Sequence, residues 1–195
     1  LVTALNLFLK DLYSERACLK EGILPWELVL SRREYKRELQ GILPPRDVFT
    51  HIVGTDIVRT GDDDFFVLED NARTPSGVSY MLENRESMLQ MFPELFAKIP
   101  VQRVSDYPQA LRRSLAACAP PRCEGKPTVA VLTPGIHNSA YFEHSFLADQ
   151  MGVELVEGHD LRVTNGKIAM RTTRGYEPVD VLYRRIDDDF LDPLN

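Results

Sequence analysis

One run of the chain, Asp56–Gln90, constrains the fold more than any other part of the sequence. It contains a strand-like stretch that ends in Glu69-Asp70-Asn71, then a polar loop, then a helix-like stretch. Residues i and i+2 of a strand point to the same side. The run therefore predicts that Glu69 and Asn71 face one way at the end of a strand and that Asp70 faces the other.

A predicted hairpin adds Asp56 to this pair. Residues 48–58 are rich in β-branched side chains, and residues 60–64 form a Gly- and Asp-rich turn whose three aspartates are interpreted as solvated. If the hairpin is centred between the first two of these aspartates, Asp56 lies opposite Glu69 with Cβ atoms roughly 5 Å apart. Two carboxylates and the Asn71 amide oxygen then suit Mg²⁺, which takes oxygen ligands. A register that differs by one residue would separate them.

The loop after this strand, Ala72–Gly77, offers groups that bind anions. Arg73 can hold a phosphate or a carboxylate through two nitrogen atoms, although a surface arginine is an equal alternative. Ser76 and Gly77 precede a predicted helix, Val78–Met91, whose N-terminus attracts negative charge. The sequence therefore predicts a phosphate-binding loop directly after the metal ligands.

These residues resemble the metal-binding end of the ATP-grasp ligases, which have an Asp, a Glu thirteen residues later, then x-Asn and a loop with Ser or Thr, Pro and Gly. Longer stretches are similar to circularly permuted ATP-grasp proteins with glutathionylspermidine-synthase-like folds. They are ALNLFLKDLY, VFTHIVGTDIVR, FVLEDNARTPSGVSYMLENRESMLQMFPELF, VLTPGIHNSAYFEHSFLADQMGVELVEGHDL and DVLYRRIDDDFLDP, nearly the whole chain. The resemblance implies ATP and Mg²⁺ as cofactors, with Asp56, Glu69 and Asn71 as the magnesium ligands.

The resemblance also implies a reaction, the ATP-dependent joining of a carboxylate to an amine through an acylphosphate. In it, Arg73 and the Ser76-Gly77 backbone stabilise phosphate oxygens, and Arg184 or Arg185 orients the acid. The partners are then a small-molecule or peptide acid and an amine. ATP-grasp lysines that reach the phosphates have no counterpart motif here, so we expect the nucleotide clamp outside this segment. A non-catalytic scaffold that binds a nucleotide or a peptide is the alternative.

The second half of the chain alternates strands with helices. Thr128–Leu132 and Val153–Val156 are strand-like and flank a helical stretch, Ala140–Gln150, which favours a parallel sheet. Asn165-Gly166 marks a hairpin, and Val179–Tyr183 is a further strand. The predicted fold class is α/β, with part of an α+β ATP-grasp subdomain followed by a Rossmann-like parallel-sheet substrate domain.

Ligands of open α/β sheets gather outside the carboxyl ends of the strands. One predicted loop there carries His137, Asn138 and Ser139, and another carries Arg184 and Arg185, which suit a carboxylate. We therefore expect these five residues to bind substrate.

Simpler alternatives remain for several of these positions. Each arginine can instead be a surface residue or a partner of Asp187, and His137 can be structural or solvated. Glu143 and His144, at the start of the following helix, can contribute to this site, but the simpler interpretation is that they are helix-surface residues.

The predicted domain organisation has three parts. Residues 1–118 are assigned to part of the ATP-grasp core, the proline-rich residues 119–127 to a linker, and residues 128–195 to a substrate domain that is incomplete at its C-terminus.

Helices are predicted at Leu1–Glu21, at Pro25–Gln40 and at Pro108–Ala117. An apolar helix face at the start and a loop-like end from Phe190 suggest a segment of a larger protein.

Composition excludes several classes of protein. The 195 residues are 44% hydrophobic and 27% charged, which is ordinary for a globular domain. A net charge of −6 argues against nucleic-acid binding, and no apolar stretch approaches the roughly 20 residues of a membrane helix. Three scattered cysteines suit a reducing cytoplasm. We therefore expect a cytoplasmic protein with no nucleic-acid or membrane partner; the sequence leaves its oligomeric state open.

Overall fold

The computed structural model of the chain describes residues 1–191. The chain divides into two compact units, Leu1–Pro75 and Ser76–Asn195. This division lies before the predicted linker at residues 119–127, and the functional roles assigned to either side of that linker stay a prediction. Helices are mixed with parallel and antiparallel strands, which confirms the predicted α/β class. No described helix is long and apolar enough to cross a membrane.

The first unit contains three α-helices and a β-hairpin within its described residues. The helices are α1 (Val2–Tyr13), α2 (Ala17–Lys20) and α3 (Trp26–Leu30), and the strands are β1 (Gly54–Arg59) and β2 (Phe65–Asn71); short 3₁₀ turns lie at Arg37–Leu39 and Pro45–Asp47.

Two predicted helices of this unit are shorter in the structure than in the sequence analysis. The helix predicted over Leu1–Glu21 breaks after Tyr13, because the Asp11 carboxylate accepts hydrogen bonds from the amides of Ala17 and Cys18 at 2.8 and 3.0 Å. The helix predicted over Pro25–Gln40 ends at Leu30. Beyond it, Tyr35 turns inward and stacks on Tyr13 with ring centroids 5.1 Å apart.

Asp56 has its predicted partner in the hairpin, but the strand register nearer the turn differs from the prediction. Strand β1 pairs with β2 so that Arg59 lies opposite Phe65 and Asp56 lies opposite Glu69. A bulge next to Asp56 leaves Leu68 without a partner across the hairpin. The predicted register is therefore confirmed at the carboxylates and is wrong by one residue nearer the turn.

The second unit holds five α-helices, six strands and a short 3₁₀ turn at Gly158–Asp160 in its described part. The helices are α4 (Val78–Met91), α5 (Pro93–Lys98), α6 (Tyr107–Ala116), α7 (Tyr141–Met151) and α8 (Asp188–Leu191). The strands are β3 (Val129–Leu132), β4 (Glu154–Val156), β5 (Leu161–Thr164), β6 (Lys167–Thr172), β7 (Gly175–Pro178) and β8 (Val181–Arg184). Helix α8 replaces the beginning of the loop predicted from Phe190, and the rest of that loop lies outside the described residues.

A parallel sheet organises the second unit. Its order is β4-β3-β8, with both β4 and β8 parallel to β3, as the alternation of strands and helices predicts. The strands β5, β6 and β7 form a separate antiparallel sheet. The first turn of that sheet is the predicted Asn165-Gly166 turn, where φ is 51° and 70°.

The core of the second unit lies around β3. All four residues of β3 are buried, because it is the central strand and is contacted by α6 and α7. From α7, Leu147 and Met151 are at most 2% exposed. This core fixes the carboxyl ends of β3 and β8, from which two of the predicted ligand segments begin.

Candidate functional site

The predicted metal ligands lie together at the open end of the hairpin. Asp56 and Glu69 are paired across β1 and β2, and Asn71 follows on the Glu69 side of β2. The Asn71 amide donates a hydrogen bond to Glu69 Oε1 at 3.2 Å. Asp70, which the alternation places on the other face, accepts one from Thr55 Oγ1 at 2.7 Å.

The chemistry of this donor set fits Mg²⁺. The set offers two carboxylates and one amide oxygen, all on exposed residues. No group of three or more His, Cys, Asp or Glu side chains suited to a metal occurs in the described part of the chain. Two carboxylates nevertheless suit Mg²⁺, which is usually bound through one or two carboxylates while phosphates and waters complete its octahedron.

Helix α1 secures the chain on both sides of the hairpin. Asn6 Oδ1 accepts hydrogen bonds from the amides of Phe49 and Thr50 at 2.7 and 3.0 Å, and Asn6 Nδ2 donates to Thr50 O at 3.1 Å. Thr50, 5% exposed, donates its hydroxyl to the carbonyl of Ala72 at 3.0 Å. The residue that follows Asn71 is therefore tied to α1 through Thr50.

Gly54 fixes the loop from the other side. It is paired with Asn71, and a Cβ at Gly54 would lie 2.7 Å from Pro75 Cβ. Such a distance is not tolerated between real side chains, so the absence of a Cβ lets Pro75 pack directly on β1.

The three predicted anion-binding residues of the loop have different surroundings. Arg73 and Ser76 are exposed. Gly77 adopts a φ of 109°, and its amide donates to Glu143 Oε2 at 2.6 Å. The predicted anion at the start of α4 is thus a carboxylate of the protein itself.

Glu143 and its partner Arg185 form a buried ion pair at 3.2 Å, with side chains 1% and 2% exposed. The interpretation of Glu143 and His144 as helix-surface residues is wrong, since these residues are only 1% and 2% exposed. Arg185 also donates to the Tyr183 hydroxyl at 3.1 Å. Its guanidinium is therefore engaged within the protein, although the sequence suggested either a substrate contact or a surface position.

His144 lies beside this pair and is neutral at physiological pH. Burial, and secondly the positive charge of Arg185, lower the pKa of His144 from 6.5 to about 4. Its Nδ1 is 2.9 Å from Thr133 Oγ1, which in turn accepts a hydrogen bond from the Gly135 amide at 3.2 Å. Burial likewise raises the pKa of Tyr183. The ion pair is thus enclosed by uncharged groups.

The remaining predicted substrate residues are accessible. Arg184 is half-exposed and pairs with Asp188 at 2.9 Å. His137, Asn138 and Ser139 are exposed in the loop that leaves the carboxyl end of β3, as predicted. The Asn138 side chain accepts a hydrogen bond from the Ala140 amide at 2.9 Å, so it supports the start of α7.

Comparison with known protein families identifies the family of the chain. Residues 2–195 match the family described as circularly permuted ATP-grasp type 2. The chain belongs to this family. The predicted resemblance to circularly permuted ATP-grasp proteins is therefore confirmed.

Several relatives extend this finding. The chain is 55% identical over 192 residues to an uncharacterized protein of Synechocystis sp., covering 98% of this chain and 40% of the relative. It is 53% identical over 193 residues to an uncharacterized protein of Mycobacterium tuberculosis, covering 99% and 35%. It is 42% identical over 192 residues to a Frankia casuarinae protein named "Putative glutamate--cysteine ligase 2-2", covering 97% and 22%. The chain thus spans less than half the length of these ATP-grasp relatives.

Four residues whose roles were not predicted from the sequence hold the hairpin, the loop or the start of α4 in place. Asn6, Thr50 and Glu143 act through contacts with residues 22 to 66 positions away, for which the local sequence gives no signal. Gly54 had a signal, because a glycine within a strand-like stretch often marks the close approach of another segment.

Proposed function

We propose that the chain forms part of an ATP- and Mg²⁺-dependent carboxylate–amine ligase and contributes its metal-binding hairpin. The observation that carries this proposal is the pairing of Asp56 with Glu69 across β1 and β2, with Asn71 hydrogen-bonded to Glu69. Family membership and the ligase name of the Frankia relative support it. The substrates proposed are a small-molecule or peptide acid and an amine.

The hairpin and the loop have separate proposed tasks. Asp56, Glu69 and Asn71 would hold Mg²⁺, which neutralises the charge that develops on the phosphates during transfer. Arg73 is exposed and would bind phosphate oxygens through its guanidinium. The protein contributes mainly position and charge, since phosphoryl transfer to a carboxylate needs no protein nucleophile.

The substrate-side residues orient the acid in this proposal. The carboxylate of the acid attacks the γ-phosphorus of ATP. The bond from that phosphorus to the bridging oxygen breaks, ADP is released, and the acid becomes an acylphosphate. The amine then displaces phosphate and loses a proton, which gives an amide. Arg184 is the better candidate to orient the acid because Arg185 is buried against Glu143. His137, Asn138 and Ser139 remain proposed substrate contacts.

Other features remain predictions. They are the likeness to glutathionylspermidine-synthase folds, a cytoplasmic location and the position of the nucleotide clamp outside this segment. The reaction belongs to the whole protein, so its test requires the full-length enzyme.

The test compares two carboxylate variants of the full-length protein. Glu69→Gln removes a proposed ligand charge, whereas Asp63→Asn removes an exposed charge in the turn of the same hairpin. We expect Glu69→Gln to lower Mg²⁺-dependent ATP turnover by about 100-fold or more and to raise the Mg²⁺ concentration needed for half-maximal turnover. Asp63→Asn should match the wild type.

The readout is ADP release with candidate acids and amines across a magnesium titration. Equal turnover in Glu69→Gln and Asp63→Asn would overturn the metal assignment. Nucleotide binding by the wild type without turnover under any substrate pair would instead favour the scaffold alternative.

A further inference from the structure

The carboxylate of Glu143 caps a helix that lies far from it in sequence. Its Oε2 accepts hydrogen bonds from the Gly77 amide at 2.6 Å, the Ser79 amide at 3.2 Å and the Ser79 hydroxyl at 3.0 Å. The first amides of a helix have no partner within the helix. Gly77, which precedes α4, has no side chain to provide one, so the conformation at the start of α4 depends on Glu143.

The backbone at Gly77 requires such an external contact. Its φ of 109° is unfavourable for any residue with a Cβ, although the space around it is open. The glycine therefore permits the turn into α4 but does not by itself select that turn among the conformations open to glycine. The hydrogen bonds from Gly77 and Ser79 to one buried carboxylate select it.

Arg185 fixes the other oxygen of the same carboxylate. Its Nη2 donates to Glu143 Oε1 at 3.2 Å, its Nη1 donates to the Tyr183 hydroxyl at 3.1 Å, and its own amide donates to Leu132 O at 2.8 Å. Arg185 follows β8, and Leu132 ends β3, so the ion pair is anchored at the carboxyl end of the parallel sheet. The predicted substrate loop at residues 133–139 leaves the sheet at the same end.

We propose that Glu143 is a positioning residue, which holds the end of the proposed phosphate-binding loop and the start of α4 in place relative to the parallel sheet that carries the proposed substrate residues. Arg185 acts through Glu143 by fixing its orientation and balancing its charge. This role rests on the ligase function proposed above, and it explains why a residue predicted to bind substrate is buried. Neither side chain touches the reacting atoms in this proposal.

Glutamine in place of Glu143 cannot accept hydrogen bonds both from Gly77 and Ser79 and from Arg185. If its oxygen accepts from Gly77 and Ser79, its NH₂ group faces the Arg185 guanidinium, which is also a donor. If the amide is reversed, the NH₂ group faces the two backbone amides. Glu143→Gln therefore weakens one of the two contacts with almost no change in volume.

The experiment uses full-length protein and two variants on α7. Glu143→Gln is compared with Asp149→Asn, an exposed carboxylate on the same helix. We expect Glu143→Gln to raise the KM for ATP about tenfold with a smaller change in kcat, since the loop is displaced while the proposed metal ligands are intact. Amide exchange at Gly77 and Ser79 should accelerate by about tenfold, with β3 unchanged. Asp149→Asn should leave all three quantities as in the wild type.

The outcomes separate this inference from the proposed function. If the wild type turns over ATP and Glu143→Gln has the same KM and exchange as Asp149→Asn, the positioning role is overturned and the ligase proposal stands. A wild type without turnover overturns both. If Glu143→Gln does not fold, Ser79→Ala removes only the hydroxyl contact and should raise the KM about threefold; an unchanged KM there contradicts the role.

Discussion

At the scale of single residues, the geometry of the candidate metal site depends on neighbouring residues that are not themselves proposed metal ligands. Gly54 admits Pro75 against β1, and Thr50 holds the carbonyl of Ala72. The carboxylates supply oxygen ligands, but these neighbours determine where the chain goes after Asn71. Changes at such positions should therefore affect the site without removing a ligand.

Gly54→Ala tests this dependence. The new Cβ would lie 2.7 Å from Pro75 Cβ, so Pro75 and the loop have to shift. We expect the free energy of unfolding to fall by roughly 1–3 kcal/mol, the cost of overpacking. The Mg²⁺ concentration needed for half-maximal turnover should rise.

Gly158→Ala is the matched control, because a Cβ at Gly158 meets nothing within 4 Å. Denaturant unfolding monitored by circular dichroism measures both variants. A loss of stability at Gly54 no larger than that at Gly158 would contradict the packing argument.

At the scale of elements, the hairpin of β1 and β2 is supported mainly from its open end. Phe65, Phe66 and Leu68 are 62%, 60% and 71% exposed, so little apolar burial stabilises the strands within this chain. A two-stranded hairpin alone is at best marginally stable in water. The hydrogen bonds of Asn6 to the chain before β1 are therefore important for its order.

Asn6→Ala should loosen the hairpin. The change removes the acceptor for the Phe49 and Thr50 amides and the donor to Thr50 O. Leaving such groups without partners costs about 1–3 kcal/mol, so amide exchange in β1 and β2 should accelerate while exchange in β3 is unchanged.

Asn84→Ala, at an exposed position on α4, is the control and should not alter exchange in the hairpin. Hydrogen exchange measured by mass spectrometry compares the variants. Uniform acceleration across the whole chain in Asn6→Ala would show a global loss of stability instead of a local one.

The bounds of helices and strands were predicted well where a single sequence pattern ran through the whole element. Helix α4 has the predicted bounds, and the βαβ arrangement around β3 was predicted from short strand-like runs on either side of a helical stretch. The helix predicted over Leu1–Glu21 failed because an Asp11 side chain competes for the amides of Ala17 and Cys18. Such side-chain competition cannot be inferred from helical periodicity.

At the scale of the whole molecule, the described chain places its buried charge in the second unit. Glu143, Arg185 and His144 lie together under the parallel sheet's carboxyl end, and all are at most 5% exposed. Protonation of His144 opposes folding, first because its charge would be buried and second because that charge would lie beside Arg185.

The stability of the protein should therefore fall in mildly acidic solution. The pKa of His144 is lowered from 6.5 to about 4, so the unfolded chain binds more protons between these values. The free energy of unfolding then rises with pH across this window, by up to about 3 kcal/mol from this residue. The stabilisation is fully present above pH 6.5 and is lost as the pH falls towards 4.

His144→Gln removes this titration and should flatten the stability profile between pH 4 and 6.5 relative to the wild type. Urea unfolding at a series of pH values measures the difference. An unchanged slope in the variant would show that other groups cause the acid sensitivity.

The sequence by itself determined the α/β class, the family and the pairing of Asp56 with Glu69, because these depend on local alternation, turn residues and motif spacing. The metal-ligand role of these residues stays a prediction. The sequence did not determine which charges are buried. Arg185 and Glu143 are 42 positions apart, and only the packing of α7 against the parallel sheet brings them together. Tertiary structure also decided the anion at α4, because the helix N-terminus specifies a negative charge but not its source.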